Sequence, residues 1–488
     1  MTTSTTANTQ EPAEQTYDAI IIGAGQAGGP LATALGAAGK RTAIIEREHV
    51  GGTCINEGCS PTKTMVASAR DAYLVRRSAD YGVHPGASGA TGSDTSPTPL
   101  TVDMVKVRQR KRDIVESFRS GSERSLRESA NVDLLMGEAR FTAPHTLDVR
   151  LNDGGETRRL TAPIVVVNTG ERPSVPPIPG LADIPYLTST TIMELDVVPN
   201  HLVVLGGGYI ALEFGQMFRR FGAQVTVIQR GSRLLSREDA DVADAVANIL
   251  REDGIEVLLD TAITRVERGA DGGVDVTARV HDSERTITGS HLLAALGRTP
   301  NTDHLDPSAA GIATDQRGYI RVNERLETNV AGVYAVGDVK GGPAFTHISY
   351  DDFRILRANL VEGKHATTSG RLVPYTVFID PQLGGVGVRE QEARAQGLDI
   401  KVAKMPMSYV ARALEVDETR GFMKAIVDAQ SEQILGFSVL GIEGGEIMSA
   451  VEIAMMGKLP YTTLRDAIFS HPTLMESLNN LFGSFEGE

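Results

Sequence analysis

Tyr17-Asp18-Ala19-Ile20-Ile21-Ile22-Gly23-Ala24-Gly25-Gln26-Ala27-Gly28 decides how this chain folds. A short apolar run rich in β-branched residues meets a glycine turn, and a helix-forming stretch follows. His201-Leu202-Val203-Val204-Leu205-Gly206-Gly207-Gly208-Tyr209-Ile210-Ala211 repeats the plan. Each copy leads to a second apolar strand, at residues 41–46 and 224–229. Gly23 to Glu46 and Gly206 to Gln229 each span 23 positions. Two strand–helix–strand units of equal spacing imply two dinucleotide-binding domains. Such glycines let backbone approach a pyrophosphate, while the helix start offers N–H groups and the positive end of its dipole. A glycine turn can also serve only to pack a helix on a sheet. The strand before it, the helix after it and the polar residue at a set distance favour the nucleotide. The candidate contacts are Gly23, Gly25 and Gly28 in the first copy, and Gly206, Gly208 and Ala211 in the second.

The residue ending the second strand selects the nucleotide. Glu46 can accept hydrogen bonds from both ribose hydroxyls, which suits FAD or NAD. Its counterpart is Gln229, followed by Arg230 and Arg233. A carboxylate would repel a 2′-phosphate and guanidinium groups would pair with it, so NADPH is expected in the second site, with NADH as the alternative. Further glycine turns close the strands before Thr169-Gly170, Gly297 and Gly337-Asp338. An aspartate beside such a turn can take the hydroxyls of a ribityl chain.

The chain's only cysteines, Cys54 and Cys59, lie in Gly51-Gly52-Thr53-Cys54-Ile55-Asn56-Glu57-Gly58-Cys59-Ser60-Pro61-Thr62-Lys63. At that spacing they share no regular helical face, but a distorted helix start near Gly58 and Pro61 could bring them together. A dithiol beside a dinucleotide reads as a redox couple. Half a zinc site is the alternative, but no second cysteine pair completes it, and no metal site is expected.

With 488 residues, 41 % of them hydrophobic, the chain suffices for several cores. A net charge of −14 argues against a nucleic-acid surface or an anionic membrane as partner. Residues 19–39 are uncharged and long enough to cross a bilayer, but six glycines and a proline interrupt them and no Lys or Arg precedes them. A cytoplasmic protein is expected, in a compartment where a catalytic dithiol suits better than a structural bridge. Residues 1–16 read as a disordered tail and 84–101 as a flexible insertion. Beyond 371, β-rich stretches at 375–379, 421–427 and 434–440 alternate with helical runs near 446–457 and 463–469, the pattern of a separate α+β domain.

Taken in order, the two glycine motifs, the GGTC-x4-C run, Gly337-Asp338 and His471-Pro472-Thr473 resemble the flavoprotein disulfide reductases, which include glutathione reductase, lipoamide dehydrogenase and mercuric reductase. The resemblance covers everything past the tail. It is nearest the mercuric-reductase-like branch, through residues 337–355 and 459–478; that branch includes a bacterial reactive-chlorine-resistance flavoprotein regarded as a copper(II) reductase. It implies an α/β chain with two Rossmann-like domains, for FAD (17–170, continued at 291–370) and NAD(P)H (171–290), and a C-terminal dimerisation domain (371–488). By the same resemblance Cys59 faces the flavin and Cys54 is the outward, substrate-attacking thiol. Lys63 sits near the flavin and pairs with Glu213, Tyr209 covers the nicotinamide entry, and Asp338 binds the ribityl chain. Thr53 joins the cofactor-binding set. His471, oriented by Glu476, is the acid/base and comes from the partner of a homodimer.

The resemblance has departures. Mercuric reductase carries a C-terminal vicinal cysteine pair, and this chain ends Gly-Ser-Phe-Glu-Gly-Glu. Conversely, mercuric reductase lacks the His/Glu dyad. The expected enzyme passes electrons from NADPH through FAD and the dithiol to a metal ion such as copper(II) or a small oxidant. The alternatives are a low-molecular-weight disulfide reductase or lipoamide-type dehydrogenase, and a low-turnover redox-sensing flavoprotein. His347 receives no role.

Overall fold

The computed structural model describes residues 14–84, 100–280 and 283–487, and the chain divides into two compact units. Most of the insertion expected at 84–101, and residues 1–13 of the expected tail, lie outside the described residues.

The first unit takes in the chain up to Pro61, then Arg112–Arg172 and Arg298–Arg371. In its eight-stranded sheet Ala19–Ile22 lies between Thr42–Glu46 and Ile164–Val167, with Val132–Ala143 and Val333–Ala335 outside these. All five run parallel. Parallel strands are covered on both faces, which is why they read as unbroken Val/Ile runs. Ile21 and Ile44 pack under Leu31 and Leu35 of the helix Gly28–Ala37. Ile20, Ile45 and Val165 face the opposite way, onto Leu147 and Leu160. Because neighbouring strands point the same way, their carboxyl ends bring Gly23, Glu46, Thr169 and Gly337 to one edge of the sheet, where such folds bind ligands.

The second unit comprises Thr62–Lys111, Pro173–Gly297 and Leu372–Glu488. Its parallel sheet runs Glu256–Leu258, Gln224–Ile228, His201–Leu205, His291–Ala294, carrying Gly206 and Gln229 at its carboxyl end. A three-stranded antiparallel sheet, Thr261–Arg268, Val274–Val280 and Ser283–Gly289, follows. A five-stranded antiparallel sheet, with Gln382–Gly387, Ile434–Gly441 and Phe422–Asp428 at its centre, is covered by the helix Gly444–Met456 through Ile447, Met448 and Val451.

The expected boundaries need four corrections. Residues 14–16, assigned to the tail on composition, form a strand parallel to Thr157–Thr161, because that edge offers backbone groups to any chain lying along it. Residues 62–111 cluster with the second unit rather than with the first nucleotide domain, since Met65, Ala69 and Met104 join the core of Phe214 and Phe218. The strand His291–Ala294 also belongs to the second unit, where it pairs with His201–Leu205. The helical run expected over 463–469 is the helix Tyr461–Arg465, ended where Asn479 Nδ2 donates to the carbonyls of Leu464, Arg465 and Ala467 at 2.9 Å each.

Candidate active site

In the first unit the strand ends build a turn shaped for a dinucleotide. Gly23 has φ +103°, and a Cβ there would lie 2.3 Å from the Asn168 carbonyl oxygen, so only glycine fits. The helix opening at Gly28 has no side-chain cap and no acidic residue in its first turn, so the positive end of its dipole is left to an anion. Glu46 Oε2 accepts the Ala24 N–H at 2.9 Å, and Oε1 accepts that of Glu48 at 2.9 Å. The carboxylate thus also pins the turn, a duty its ribose reading did not foresee. Beside Gly23 the Thr169 hydroxyl is buried with no hydrogen-bond partner among the described residues. A buried donor of that kind is normally satisfied, so an outside polar group fits here. Residues and turn together suit FAD.

The cysteine run is tied to this turn. Gly51 N–H donates to the Ala24 carbonyl at 2.8 Å, and Gln26 Nε2 donates to the Gly51 carbonyl at 3.0 Å. Thr53 and Cys54 lie in a short helix, Gly52–Asn56, and Cys59 opens the next, Cys59–Arg76. Between them Gly58 doubles back: a Cβ there would lie 2.8 Å from the Thr53 carbonyl oxygen and 3.3 Å from Cys54 Cα. This is the break that the spacing demanded. Asn56 staples it, donating to the carbonyls of Val50 (3.1 Å) and Gly52 (2.9 Å) and accepting from Arg119 Nε at 2.7 Å. Cys54 is half-buried, and Cys59 is the more exposed of the two in this chain. Cys59 Sγ lies 3.4 Å from Thr346 Oγ1. A hydroxyl and a helix start both favour the thiolate.

Asp338 completes the group. Burial first, and then the neighbouring Glu171 carboxylate, push its carboxyl up to about 6, with a further contribution from Cys59 and opposition from Arg298 and Lys340. Glu171 is itself buried, paired with Arg298 and accepting from Tyr319 OH at 3.0 Å. The turn before Asp338 is anchored from below. Gly337 N–H donates to Asp352 Oδ2 at 2.9 Å, and fully buried Asp352 pairs with Arg371 (2.7 Å) and Lys340 (3.1 Å).

The raised Asp338 carboxyl has a pH consequence. The folded state binds this proton more tightly than the unfolded chain, whose carboxyl keeps its ordinary value of 3.8. The stabilisation is full below pH 3.8 and is lost as pH rises to about 6. Thermal unfolding of flavin-stripped protein, compared between wild type and Asp338→Asn, is expected to show the variant gaining relative stability across that window. Parallel curves would show that Asp338 titrates normally.

The second unit, taken by itself, carries the other candidate residues. Gly206 repeats the strained turn, with φ +115°, and the helix Tyr209–Phe221 opens beyond Gly208, again uncapped and without an acidic first turn. Ala211 is buried in it and Tyr209 half-buried at its start. Gln229 lies against Gly207 and donates to the Arg233 carbonyl at 3.3 Å, leaving Arg230 and Arg233 exposed. Gly297 is exposed. Lys63 Nζ meets Glu213 Oε2 at 2.7 Å, while Oε1 of the same carboxylate accepts the Phe378 N–H at 2.8 Å. Lys63 also lies 4.8 Å from the centroid of the Phe378 ring. His471 Nδ1 contacts Glu476 Oε2 at 2.9 Å, with the imidazole 74 % exposed. Among the described residues no group of three or more His, Cys, Asp or Glu is placed to hold a metal ion, and no helix is long and apolar enough to cross a membrane.

Sequence reading missed Asn56, Arg119, Asn168, Glu171, Thr346 and Asp352. Asn168 alone left a trace, as the polar residue ending an apolar strand just before Thr169-Gly170. His347 is exposed, its ring stacked on Phe345 at 5.3 Å, one residue beyond the Cys59 contact.

Comparison with known proteins gives the family. Residues 17–352 match the family described as pyridine nucleotide-disulphide oxidoreductase, and residues 373–482 match its dimerisation domain. The chain is 39% identical over 470 residues to the probable pyridine nucleotide-disulfide oxidoreductase RclA of Escherichia coli (strain K12), covering 96% of this chain and 98% of that protein. It is 33% identical to the mercuric reductase of Bacillus cereus, over 95% of this chain and 70% of the relative. Among solved structures, the HOCl-induced flavoprotein disulfide reductase RclA from Escherichia coli superposes with TM-score 0.84 at 38% identity, covering 96% of this chain and 99% of that one. A Cu(II) complex of the same Escherichia coli protein superposes with TM-score 0.85 at 39% identity, with the same coverage.

Proposed function

This chain belongs to the pyridine nucleotide-disulphide oxidoreductases, flavin-dependent enzymes, and we propose that it passes electrons from NADPH through FAD to the Cys54–Cys59 couple and on to copper(II). The gathering of Cys59, Thr346 and Asp338 beside the dinucleotide turn carries this reading. Bound FAD supplies the hydride chemistry. The chain's own residues do the rest. The Gly28 helix start and Glu46 seat the dinucleotide, and Asp338 takes its ribityl hydroxyls. The Thr346 hydroxyl and the start of the Cys59 helix hold Cys59 as thiolate. Lys63, oriented by Glu213, would offer its cation to the flavin. Arg230 and Arg233 favour a 2′-phosphate over the bare ribose. Cys54 and Cys59 then deliver two electrons to two copper(II) ions, giving two copper(I), and return to the disulfide with release of the one proton that Cys54 still holds. Copper is a substrate here. The known Cu(II) complex of the Escherichia coli relative supports that choice.

A second acceptor class has its own support. Glu476 holds His471 Nδ1, so the other ring nitrogen is left to protonate a departing thiolate, as reduction of a small disulfide requires. Homodimerisation fits the dimerisation-domain match and the exposed apolar side chains of Ile453, Met456 and Ile468 within it. The deciding experiment is anaerobic reduction with one equivalent of NADPH, or of NADH, followed by rapid mixing with copper(II) or a panel of disulfides. A long-wavelength thiolate–flavin band formed faster with NADPH and discharged fastest by copper(II) is expected. Discharge by one disulfide with copper(II) inert would overturn the acceptor, and equal rates with NADH would overturn the nucleotide preference.

A further inference from the structure

We propose that Asn168 is a positioning residue, clamping the dinucleotide turn to the Gly337–Asp338 turn in the register that FAD requires. The inference rests on reading this edge of the sheet as the FAD site. Asn168 follows the strand Ile164–Val167, which lies between Ala19–Ile22 and Val333–Ala335. It therefore stands between the two turns that continue those neighbours. It is 8% exposed, rare for an asparagine without a duty. Its N–H donates to the Ile22 carbonyl at 2.8 Å, and Nδ2 donates to the Gly23 carbonyl at 3.1 Å.

The same carboxamide is packed on further glycines. A Cβ at Gly28 would lie 2.7 Å from Asn168 Nδ2, and one at Gly25 3.2 Å from it. At the other end, a Cβ at Gly337 would lie 3.0 Å from Asn168 Oδ1. The donor end thus rests on the motif Gly23-x-Gly25-x-x-Gly28, and the acceptor end on the turn that carries Asp338. Asparagine provides both a donor and an acceptor on one short planar group. An aliphatic residue of that size would leave the Gly23 carbonyl without its partner. An aspartate would set a carboxylate against that carbonyl and next to the seat of the pyrophosphate. Once protonated, it would regain the missing donor.

The test is FAD dissociation from the purified holoenzyme, read as recovery of flavin fluorescence, together with equilibrium rebinding across pH 5.5–8. Asn168→Ala is expected to weaken FAD binding about tenfold, the equivalent of one lost hydrogen bond of ~1.4 kcal/mol. Relative to wild type at the same pH, which carries the Asp338 titration at about 6, Asn168→Asp is expected to weaken it roughly a hundredfold at pH 8 and to recover most of that ratio by pH 5.5. A merely structural role would not produce that pH profile. Asn168→Ser, which keeps a donor and needs no more space, is expected to fall between wild type and Asn168→Ala, and serves should either of the others fail to fold. Wild-type affinity in the alanine and serine variants, or an aspartate loss equal at every pH, would overturn the role of Asn168 alone. A wild type that takes up no FAD would instead remove the site reading on which the inference stands.

Discussion

Replacing Cys59 with serine is expected to abolish the long-wavelength thiolate–flavin band and to lower turnover with copper(II) by a factor on the order of 10³ or more. A serine hydroxyl stays protonated, whereas the proposed mechanism needs Cys59, at a helix start and 3.4 Å from Thr346 Oγ1, as thiolate. Cys54→Ser is expected to behave differently. The Cys59 thiolate would persist and the band would be present before any reductant is added, since no disulfide holds that sulfur, but the disulfide could not re-form and multiple turnover would stop. Thr346→Val would raise the Cys59 thiol's pKa, moving the onset of the band to higher pH while leaving both sulfurs in place. Stopped-flow absorbance across a pH series reads all three. A Cys59→Ser variant that kept the band, or an unshifted onset in Thr346→Val, would refute the assignment of Cys59 as the thiolate beside the flavin.

The largest stability effect is expected at Glu213. Its carboxylate is 3% exposed and has two partners, the Lys63 ammonium and the Phe378 N–H. Glu213→Ala would leave a cation without its counter-charge and a donor without an acceptor. Removing one member of a buried pair costs about 3–5 kcal/mol. Because Lys63 keeps 28% of its side chain exposed, it can turn towards water, and the cost should lie near the lower end, about 3 kcal/mol. Glu213→Gln keeps an acceptor for Phe378 and should lose about half as much, while still depriving Lys63 of its partner. Urea denaturation of the three proteins, followed by far-UV circular dichroism, reads the order directly. Equal midpoints for wild type and Glu213→Ala would mean that the pair contributes nothing to folding.

By itself the sequence determined the two nucleotide folds, because their information is local. An apolar strand, a turn needing left-handed backbone at Gly23 and Gly206, and a helix start are all written in adjacent residues, and their recurrence at one spacing carried the repeat. The break between Cys54 and Cys59 was legible for the same reason: residues at that spacing share no helical face, and Gly58 lies between them. His471 and Glu476, five positions apart, were legible as a neighbouring pair, but the pairing of Lys63 with Glu213, across 150 positions, came only through family resemblance. Nothing local in the sequence specifies such a contact.

Only the tertiary structure decided which residues surround these motifs. Thr346 reaches Cys59 from 287 positions away and Asn168 reaches Gly23 from 145, each carried there by the parallel order of the strands. Composition misjudged residues 14–16, since a polar strand can be stabilised by the sheet edge it lies on rather than by its own side chains. The helix that begins at Cys59 was assigned to the first domain by its position in the chain, yet its Met65 and Ala69 are buried in the core of the second unit. Side-chain burial depends on which surfaces meet after folding, and that is a property of the assembled chain rather than of any stretch within it.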